Sequence, residues 1–383
     1  MFRIGAIDSG FDALKGYIGG VKEENKVYIP NVIKELNRDE SLGSGEGAAI
    51  DELHVRVTSD ALTTKNNTSY AVGNFASRFS TADQGAATDR KGDSDQTIIL
   101  ILTALALDAA TCGQFNQESD LINAKYLLST GLPIDESKKK GARKAFASKL
   151  KDGMHQVQFL ETPGLKGKTV RISFEDVYVN SEGHAAMVNL TVSDDFKTRN
   201  EDLLQKNVLL DDMGGITTDF AVIRKGSIDN ENSEGIPLGI GETLDEIIRK
   251  VHSEHRYRFK TRRDLINNIT RDEKAYIVRP QVEEVDIKKT VNDILEVFAQ
   301  EQFIEIKRMW SKVNDLDVII CVGGTAYLLK EFIEELNSNI NYPIQFADSA
   351  EESIWSIAKA YYKLLFLKAK NAGYTEEQLL VIG

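Results

Sequence analysis

The sequence has few cysteines and no leader-like start. Its 383 residues include only Cys112 and Cys321, which lie far apart in apolar surroundings. This usage fits a reducing compartment better than a disulfide framework. The opening MFRIGAIDSG lacks the basic segment and long apolar run of a signal peptide. We therefore expect a soluble cytoplasmic protein.

Long hydrophobic runs are also missing. The most apolar stretch, TIILILTALALDAA (97–110), is shorter than the roughly 20 residues that a membrane-spanning helix needs. It predicts a core helix instead. We expect no direct membrane association.

Positive charge is in deficit, because 47 lysines and arginines face 59 aspartates and glutamates, a formal net charge of −12. This balance argues against a protein that coats nucleic acid with its whole surface, and no direct nucleic-acid partner is expected. A basic helix over 137–153 and the cluster HRYRFKTRR (255–263) are local exceptions. Each is either a solvated face or a contact for a neighbouring subunit or a DNA-bound adaptor.

The length is sufficient for two hydrophobic cores, so two domains or lobes are expected. Helical and strand-like periodicities alternate along the chain, which favours an α/β fold. A small insertion with loops is predicted over 36–68, with one strand at 53–58. Helices are predicted at 95–112, 137–153, 242–255, 285–311 and 350–370.

Two bends share one layout. AIDSGFDALKGYI (6–18) and LLDDMGGITTDFAVI (209–223) each join an apolar strand to an aspartate, a glycine two positions on, polar residues and a second apolar strand. The glycines let backbone N–H groups approach a phosphate, and the aspartates suit the water shell of Mg²⁺. Lys15 supplies a positive charge. Either bend alone reads equally well as a hairpin turn, but the matched pair favours phosphate binding.

A third glycine motif is CVGGTAYL (321–328), in which an aliphatic strand runs into Gly323-Gly324 and a helix begins at once. Helix N-termini bind anions, and bare glycine backbone lets a ribose or a flat ring pack closely. By itself this is a common strand–helix junction.

The motifs DxGxxxxK, DxGGxTTD and VGGTA, in this order, resemble the nucleotide-binding motifs of the actin superfamily, and most closely those of the ParM-like bacterial actins that segregate plasmids. The resemblance implies an α/β, actin-like (ribonuclease H-like) fold of two lobes with nucleotide in the inter-lobe cleft. Lobe I would comprise 1–189 and 346–383. Lobe II would comprise 190–345, with a helical insertion near 245–310.

The resemblance further implies an ATP hydrolase, with GTP as the other candidate, that uses Mg²⁺ and polymerises into dynamic filaments. The expected partners are further copies of the chain and a DNA-binding adaptor for plasmid segregation. Two alternatives remain open within the superfamily. A sugar- or acetate-type kinase would need an acceptor pocket, and a chaperone-like ATPase would need a protein client.

The resemblance also assigns roles to residues. Glu182 would position and deprotonate the attacking water, although an exposed turn or capping glutamate is the simpler reading. Asp8 and Asp212 would complete the catalytic set and hold Mg²⁺ through water. The segment 348–362 departs from the family because it has no glycine. The implied nucleotide contacts are Ser9, Gly10, Phe11, Lys15, Gly214, Gly215, Ile216, Thr217, Thr218, Gly241, Glu242, Gly323, Gly324 and Thr325.

Overall fold

The structure is a computed structural model. It describes residues 1–36, 47–63, 67–79, 90–113, 115–116, 118–271, 273–346 and 350–379, with backbone only at 350–353. The chain forms two compact units. Unit 1 comprises Met1–Glu201 and Trp355–Gly383, and unit 2 comprises Asp202–Ile354.

Unit 1 is built on a sheet whose described strands follow the order β3-β2-β1-β7-β9-β8-β5-β6-β4. The strands are β1 (Phe2–Ser9), β2 (Ala13–Ile18), β3 (Lys26–Pro30), β4 (Ile33–Leu36), β5 (Leu53–Ser59), β6 (Thr68–Val72), β7 (Leu121–Leu132), β8 (His155–Phe159) and β9 (Thr169–Ser181). Its helices are α1 (Asp95–Cys112), α2 (Ile134–Ser137), α3 (Ala142–Lys151), α4 (Glu182–Thr191), α10 (Ala350–Asn371) and α11 (Glu376–Leu379), of which α10 begins in unit 2.

The core of unit 1 lies around α1. Every residue from Thr97 to Ala110 is buried, and the Ser94 side chain caps the helix by accepting from the Thr97 N–H. The helix is long and apolar enough to cross a membrane by length and composition, yet 72% of that window is buried inside the protein. The prediction of a core helix is confirmed.

Two segments of unit 1, 36–68 and 137–153, can be compared with the elements predicted for them. The predicted strand at 53–58 is present as β5, which pairs antiparallel with β6 and β8 and so belongs to the main sheet. Residues 37–46 and 64–66 lie outside the described part of the chain. The basic helix begins at Ala142, later than predicted, because Gly141 before it has a left-handed φ of 83°.

Unit 2 holds a smaller sheet with described strand order β12-β11-β10-β15-β16. The strands are β10 (Asn207–Met213), β11 (Thr218–Arg224), β12 (Ser227–Ile236), β15 (Val318–Val322) and β16 (Ile344–Phe346), with a separate pair β13 (Ile277–Val278) and β14 (Val285–Asp286). The helices are α5 (Glu201–Leu204), α6 (Gly241–His255), α7 (Arg262–Thr270), α8 (Lys288–Lys312) and α9 (Gly324–Asn337). Apolar residues of α6, α7, α8 and α9 and of one sheet face form a single core.

The two sheets share a local plan. In unit 1, β1 pairs antiparallel with β2 and parallel with β7. In unit 2, β10 pairs antiparallel with β11 and parallel with β15. Each predicted bend is therefore the turn of a hairpin whose first strand lies inside its sheet, flanked on both sides. Such central strands are buried on both faces, which accounts for their near-continuous apolar sequence.

The unit boundaries differ from those expected at 189/190 and 345/346. Residues up to Glu201 belong to unit 1, and the second boundary falls inside α10 at Ile354/Trp355. The first difference has a clear cause. Phe196 stacks on Phe366 at 3.6 Å between ring centroids, which fixes the segment after α4 against α10.

Candidate functional site

The bend after β1 brings together a carboxylate, an ammonium group and bare backbone. The register of the hairpin places Asp8 opposite Lys15. A Cβ at Gly10 would lie 3.0 Å from the Ala13 carbonyl oxygen, 3.9 Å from Asp8 Oδ2 and 4.0 Å from Lys15 Nζ. Only glycine leaves this space open beside both charged groups.

The hydroxyl of Ser9, next to Asp8, is buried without a hydrogen-bond partner among the described residues. The residue is only 5% exposed. Buried polar atoms are normally paired, so an orphaned hydroxyl at such a bend indicates a place for a ligand acceptor. Ser9, Gly10 and Lys15 are thus suited to bind phosphate oxygens.

Glu182 reaches the same place through the topology of the sheet. Strands β1, β7 and β9 run parallel and side by side, so their carboxyl ends meet at one edge. Asp8 lies at the end of β1, and Glu182 follows β9 as the first residue of α4. In open α/β sheets this edge is where ligands bind.

Lys91, which the sequence analysis did not single out, joins these two carboxylates. Its Nζ donates to Glu182 Oε1 at 2.6 Å and to Asp8 Oδ1 at 3.4 Å, and its side chain is 11% exposed. The backbone N–H groups of Lys91 and Gly92 donate to the Glu136 carboxylate at 2.9 and 3.1 Å. Glu182 is therefore part of an internal ion-pair network rather than an exposed turn residue.

The charges of this network are mutually dependent. Burial disfavours the ammonium form of Lys91, but the Glu182 and Asp8 carboxylates outweigh it and raise the pKa of Lys91 above its usual value. Burial raises the pKa of Glu182, and the charge of Lys91 offsets part of that rise. Lys91 is thus positively charged in this structure, and its charge favours the ionised form of Glu182.

The bend after β10 is held by backbone hydrogen bonds. The Gly214 N–H donates to the Thr217 carbonyl at 2.9 Å, and the Gly241 N–H donates to the Gly215 carbonyl at 2.8 Å. A Cβ at Gly239 would lie 2.4 Å from the Gly215 carbonyl carbon, so the two segments approach closely. The bend and the start of α6 form one rigid glycine-lined surface.

Gly323 closes that surface from the other side. Because β10 and β15 are parallel, Asp212 and Gly323 meet at the carboxyl edge of the unit 2 sheet. Gly323 has a φ of 89°, and a Cβ there would lie 2.8 Å from the Met213 carbonyl oxygen and 2.9 Å from Asp212 Oδ1. The helix α9 begins at the next residue, so its N-terminal turn lies beside Asp212.

One predicted contact does not fit the structure. The Thr218 hydroxyl, expected to face a phosphate, is fully buried and donates to the Leu238 carbonyl at 2.6 Å. It also accepts from Gln302 Nε2 at 2.8 Å. Its inward side-chain direction follows from the strand register, which the sequence motif alone did not show. Thr218 stabilises the core of unit 2.

The other predicted residues fall at or next to these bends. Phe11 is half-buried in the first bend, and Ile216 and Thr217 are half-buried in the second. Thr325 is buried in the first turn of α9. Glu242 is exposed on the first turn of α6, whereas Gly241 is buried.

The implied Mg²⁺ can be tested against these residues. Among the described residues there is no group of three or more histidine, cysteine, aspartate or glutamate side chains arranged to hold a metal. Mg²⁺ bound through water needs only one or two carboxylates, with substrate phosphates completing its shell. Asp8 in unit 1 already faces a cation, and Asp212 in unit 2 borders the glycine-lined bend, so each unit offers one such carboxylate.

Solved structures of bacterial actins resemble the whole chain. Bacillus thuringiensis ParM with ATP is 21% identical, has a TM-score of 0.75 and covers 97% of this chain and 100% of that one. Actin-like protein Alp7A is 18% identical, with a TM-score of 0.77 and coverage of 97% and 99%. A 15-stranded ParM filament from Clostridium botulinum is 20% identical, with a TM-score of 0.67 and coverage of 95% and 99%. These likenesses show the actin-like fold.

Family models identify the chain more directly. No curated protein matches it. Residues 6–184 match the N-terminal domain of actin-like proteins, and residues 207–348 match the Alp7A C-terminal domain. The first match contains the Asp8 bend and Glu182, and the second contains the Asp212 bend and Gly323. The chain therefore belongs to the actin-like proteins, with a C-terminal domain of the Alp7A type and the fold of ParM.

Proposed function

We propose that the protein is an ATPase that assembles into filaments when it binds Mg²⁺ and ATP. The observation that carries this proposal is the convergence of Asp8 and Glu182 on one cation at the carboxyl edge of three parallel strands. Solved structures of Bacillus thuringiensis ParM include forms with ATP and with ADP, and ParM of Clostridium botulinum forms a filament. GTP remains the alternative nucleotide, since the residues named here contact phosphates rather than a base.

The residues have distinct roles in this proposal. Ser9, Gly10 and Lys15 bind phosphate oxygens, and so do the backbone N–H groups of residues 215–217 and of the first turn of α9. Asp8 and Asp212 hold the hydration shell of Mg²⁺, which neutralises charge on the phosphates when bound. Glu182 orients the attacking water and accepts its proton.

The biological role proposed for the filament is plasmid segregation in the cytoplasm. Its partners are further copies of the chain and a DNA-binding adaptor. The adaptor, and not the filament, contacts the DNA. The net charge of −12 supports this division of labour, because a strongly acidic surface does not favour the phosphate backbone.

Sedimentation tests the proposed assembly. The purified protein is expected to pellet with Mg²⁺ and ATP, to remain soluble with no nucleotide and to release inorganic phosphate. Soluble protein over a broad range of concentration and salt, together with phosphate transfer to a small molecule, would instead support the kinase alternative.

The variant Glu182→Ala tests the assigned base. Because assembly depends on binding and Glu182 acts on the water, this variant is expected to pellet with ATP while phosphate release falls by about 100-fold or more. Its filaments should persist after wild-type filaments have disassembled. Glu175→Ala is the matched control, since Glu175 lies on β9, the strand that leads into Glu182, and pairs with Lys125 at the surface. If Glu182→Ala hydrolysed ATP at the wild-type rate, the role of Glu182 would be refuted. The proposal of filament assembly would be unaffected.

A further inference from the structure

Lys91 lies between Asp8 and Glu182, beside which the proposed function places the metal-bound phosphate of the nucleotide. Its ammonium group contacts Asp8, the proposed magnesium ligand, at 3.4 Å and Glu182, the proposed base, at 2.6 Å. The two carboxylates therefore share one positive charge from within the chain. A second cation close to Asp8 would be repelled by this ammonium group.

The position of Lys91 is fixed by more than its own ion pairs. The turn that carries it is anchored by two backbone N–H groups that donate to the Glu136 carboxylate. The N-cap of α1 follows directly at Ser94. Near the two carboxylates in sequence, the Ser9 and Ser181 hydroxyls are buried and lack partners among the described residues. Lys91 thus pairs with the two carboxylates, whereas the two serine hydroxyls could still hydrogen-bond to a ligand.

We propose that Lys91 is a tethered counter-ion that occupies the cation position between Asp8 and Glu182 until nucleotide-bound Mg²⁺ displaces it. Two consequences follow. The nucleotide-free protein does not bind a free divalent cation at this place. Glu182 is also held by the ammonium group and is not free to accept a proton from water until nucleotide enters. Lys91 is thus a positioning residue. It frees Glu182 to act as the base only when nucleotide binds.

This inference rests on the proposed nucleotide site, but its test requires neither hydrolysis nor assembly. Nucleotide-free protein is titrated with Mn²⁺, a spectroscopic substitute for Mg²⁺, and bound Mn²⁺ is measured by electron paramagnetic resonance. Wild-type protein is expected to bind it weakly. Lys91→Met is expected to bind at least about tenfold more tightly, because two adjacent carboxylates lose their internal cation.

A thermal readout accompanies the titration. Lys91→Met should melt at a lower temperature than wild type without metal, and added Mn²⁺ or Mg²⁺ should raise its melting temperature while leaving the wild-type value unchanged. Lys91→Arg, which keeps the charge, should behave like wild type. Lys151→Met is the matched control because Lys151 pairs with Asp176 at 3.0 Å on the surface.

The location of the gained metal is tested by adding Glu182→Gln to Lys91→Met, which should abolish the gain. Equal Mn²⁺ affinity of Lys91→Met and wild type would overturn the inference. So would nucleotide-free wild-type protein that binds Mn²⁺ tightly and loses it through Glu182→Gln, a result that remains informative even if Lys91→Met fails to fold. Both results would leave filament assembly and the role of Glu182 in hydrolysis untouched.

Discussion

Gly131 shows how strongly a single residue is constrained in unit 1. It lies one residue before the end of β7, where α10 packs against the strand. A Cβ at this position would lie 1.8 Å from the hydroxyl oxygen of Tyr361, a side chain that is fully buried. Glycine is required here because the Tyr361 ring of α10 lies directly against the strand backbone.

The substitution Gly131→Ala is expected to destabilise the protein by about 1–3 kcal/mol, since neither the strand nor the buried ring has room to move. The free energy of unfolding in urea measures the effect. Gly5→Ala is the control, because its Cβ would meet no atom closer than 3.5 Å. Equal losses in the two variants would show that packing against Tyr361 is not the cause.

Residues of the candidate site differ in how far sequence predicts them. Asp8, Gly10 and Lys15 are recognisable because they lie on one hairpin within eight positions. Lys91 lies 83 residues from Asp8 and 91 from Glu182, on a turn without a motif, so only the fold brings it to the carboxylates. A buried lysine of this kind leaves no local pattern in the sequence.

At the scale of elements, α10 and the segment after α4 are joined through a buried lysine. Lys363 is fully buried and donates to the Val192 carbonyl at 2.7 Å, to Asn189 Oδ1 at 3.0 Å and to Asp194 at 2.9 Å. Burial lowers the pKa of Lys363, while Asp194 acts in the opposite direction. Because α4 begins at Glu182, this contact fixes the far end of the helix that carries the proposed base.

Removing the Lys363 ammonium group should therefore be costly. Lys363→Met is expected to lower the free energy of unfolding by about 1–3 kcal/mol, because the half-buried Val192 carbonyl and Asn189 amide oxygens lose their donor. Lys359→Met is a close control, since Lys359 lies one turn earlier and pairs with the same Asp194 nearer the surface. Its loss should be below about 1 kcal/mol. Similar losses from both would assign the effect to Asp194 alone.

Elements with a local signal were predicted well. The two hairpins, the strand–helix junction at Gly323 and the long helix α8 follow from periodicity and glycine placement within short windows. The start of α3 and the end of unit 1 did not, because they depend on the conformation of Gly141 and on the stacking of Phe196 against Phe366. Such boundaries are set by tertiary contacts that sequence periodicity does not encode.

At the scale of the whole molecule, the two-lobe α/β class followed from length, alternating elements and the repeated bend. The order of the unit 1 sheet did not, because β9 pairs with β7 and β8 pairs with β5, and in each case the partner strand lies in an earlier, distant part of the chain. Long-range pairings of this kind have no signature in neighbouring residues. They nevertheless decide which strand ends share an edge, and hence that Glu182 faces Asp8.

The net charge gives a prediction about assembly. Copies that each carry a formal charge of −12 repel one another, so raising the salt from about 50 to about 200 mM is expected to lower the protein concentration needed for assembly with ATP. Pelleting at graded protein concentrations measures this threshold. A threshold that rises with salt would show instead that opposite charges dominate the contact, for which the basic residues of α3 are the first candidates.

The division of the chain into two units also determines which unit can fold first during synthesis. Unit 2 is one continuous segment, so it can fold as soon as residue 354 has left the ribosome. Unit 1 needs both ends of the chain, because Phe2 stacks on Tyr374 and Gly131 packs on Tyr361. A nascent chain therefore carries an incomplete Asp8 edge until its last helices emerge. The proposed filament would therefore take up only copies whose translation is nearly finished.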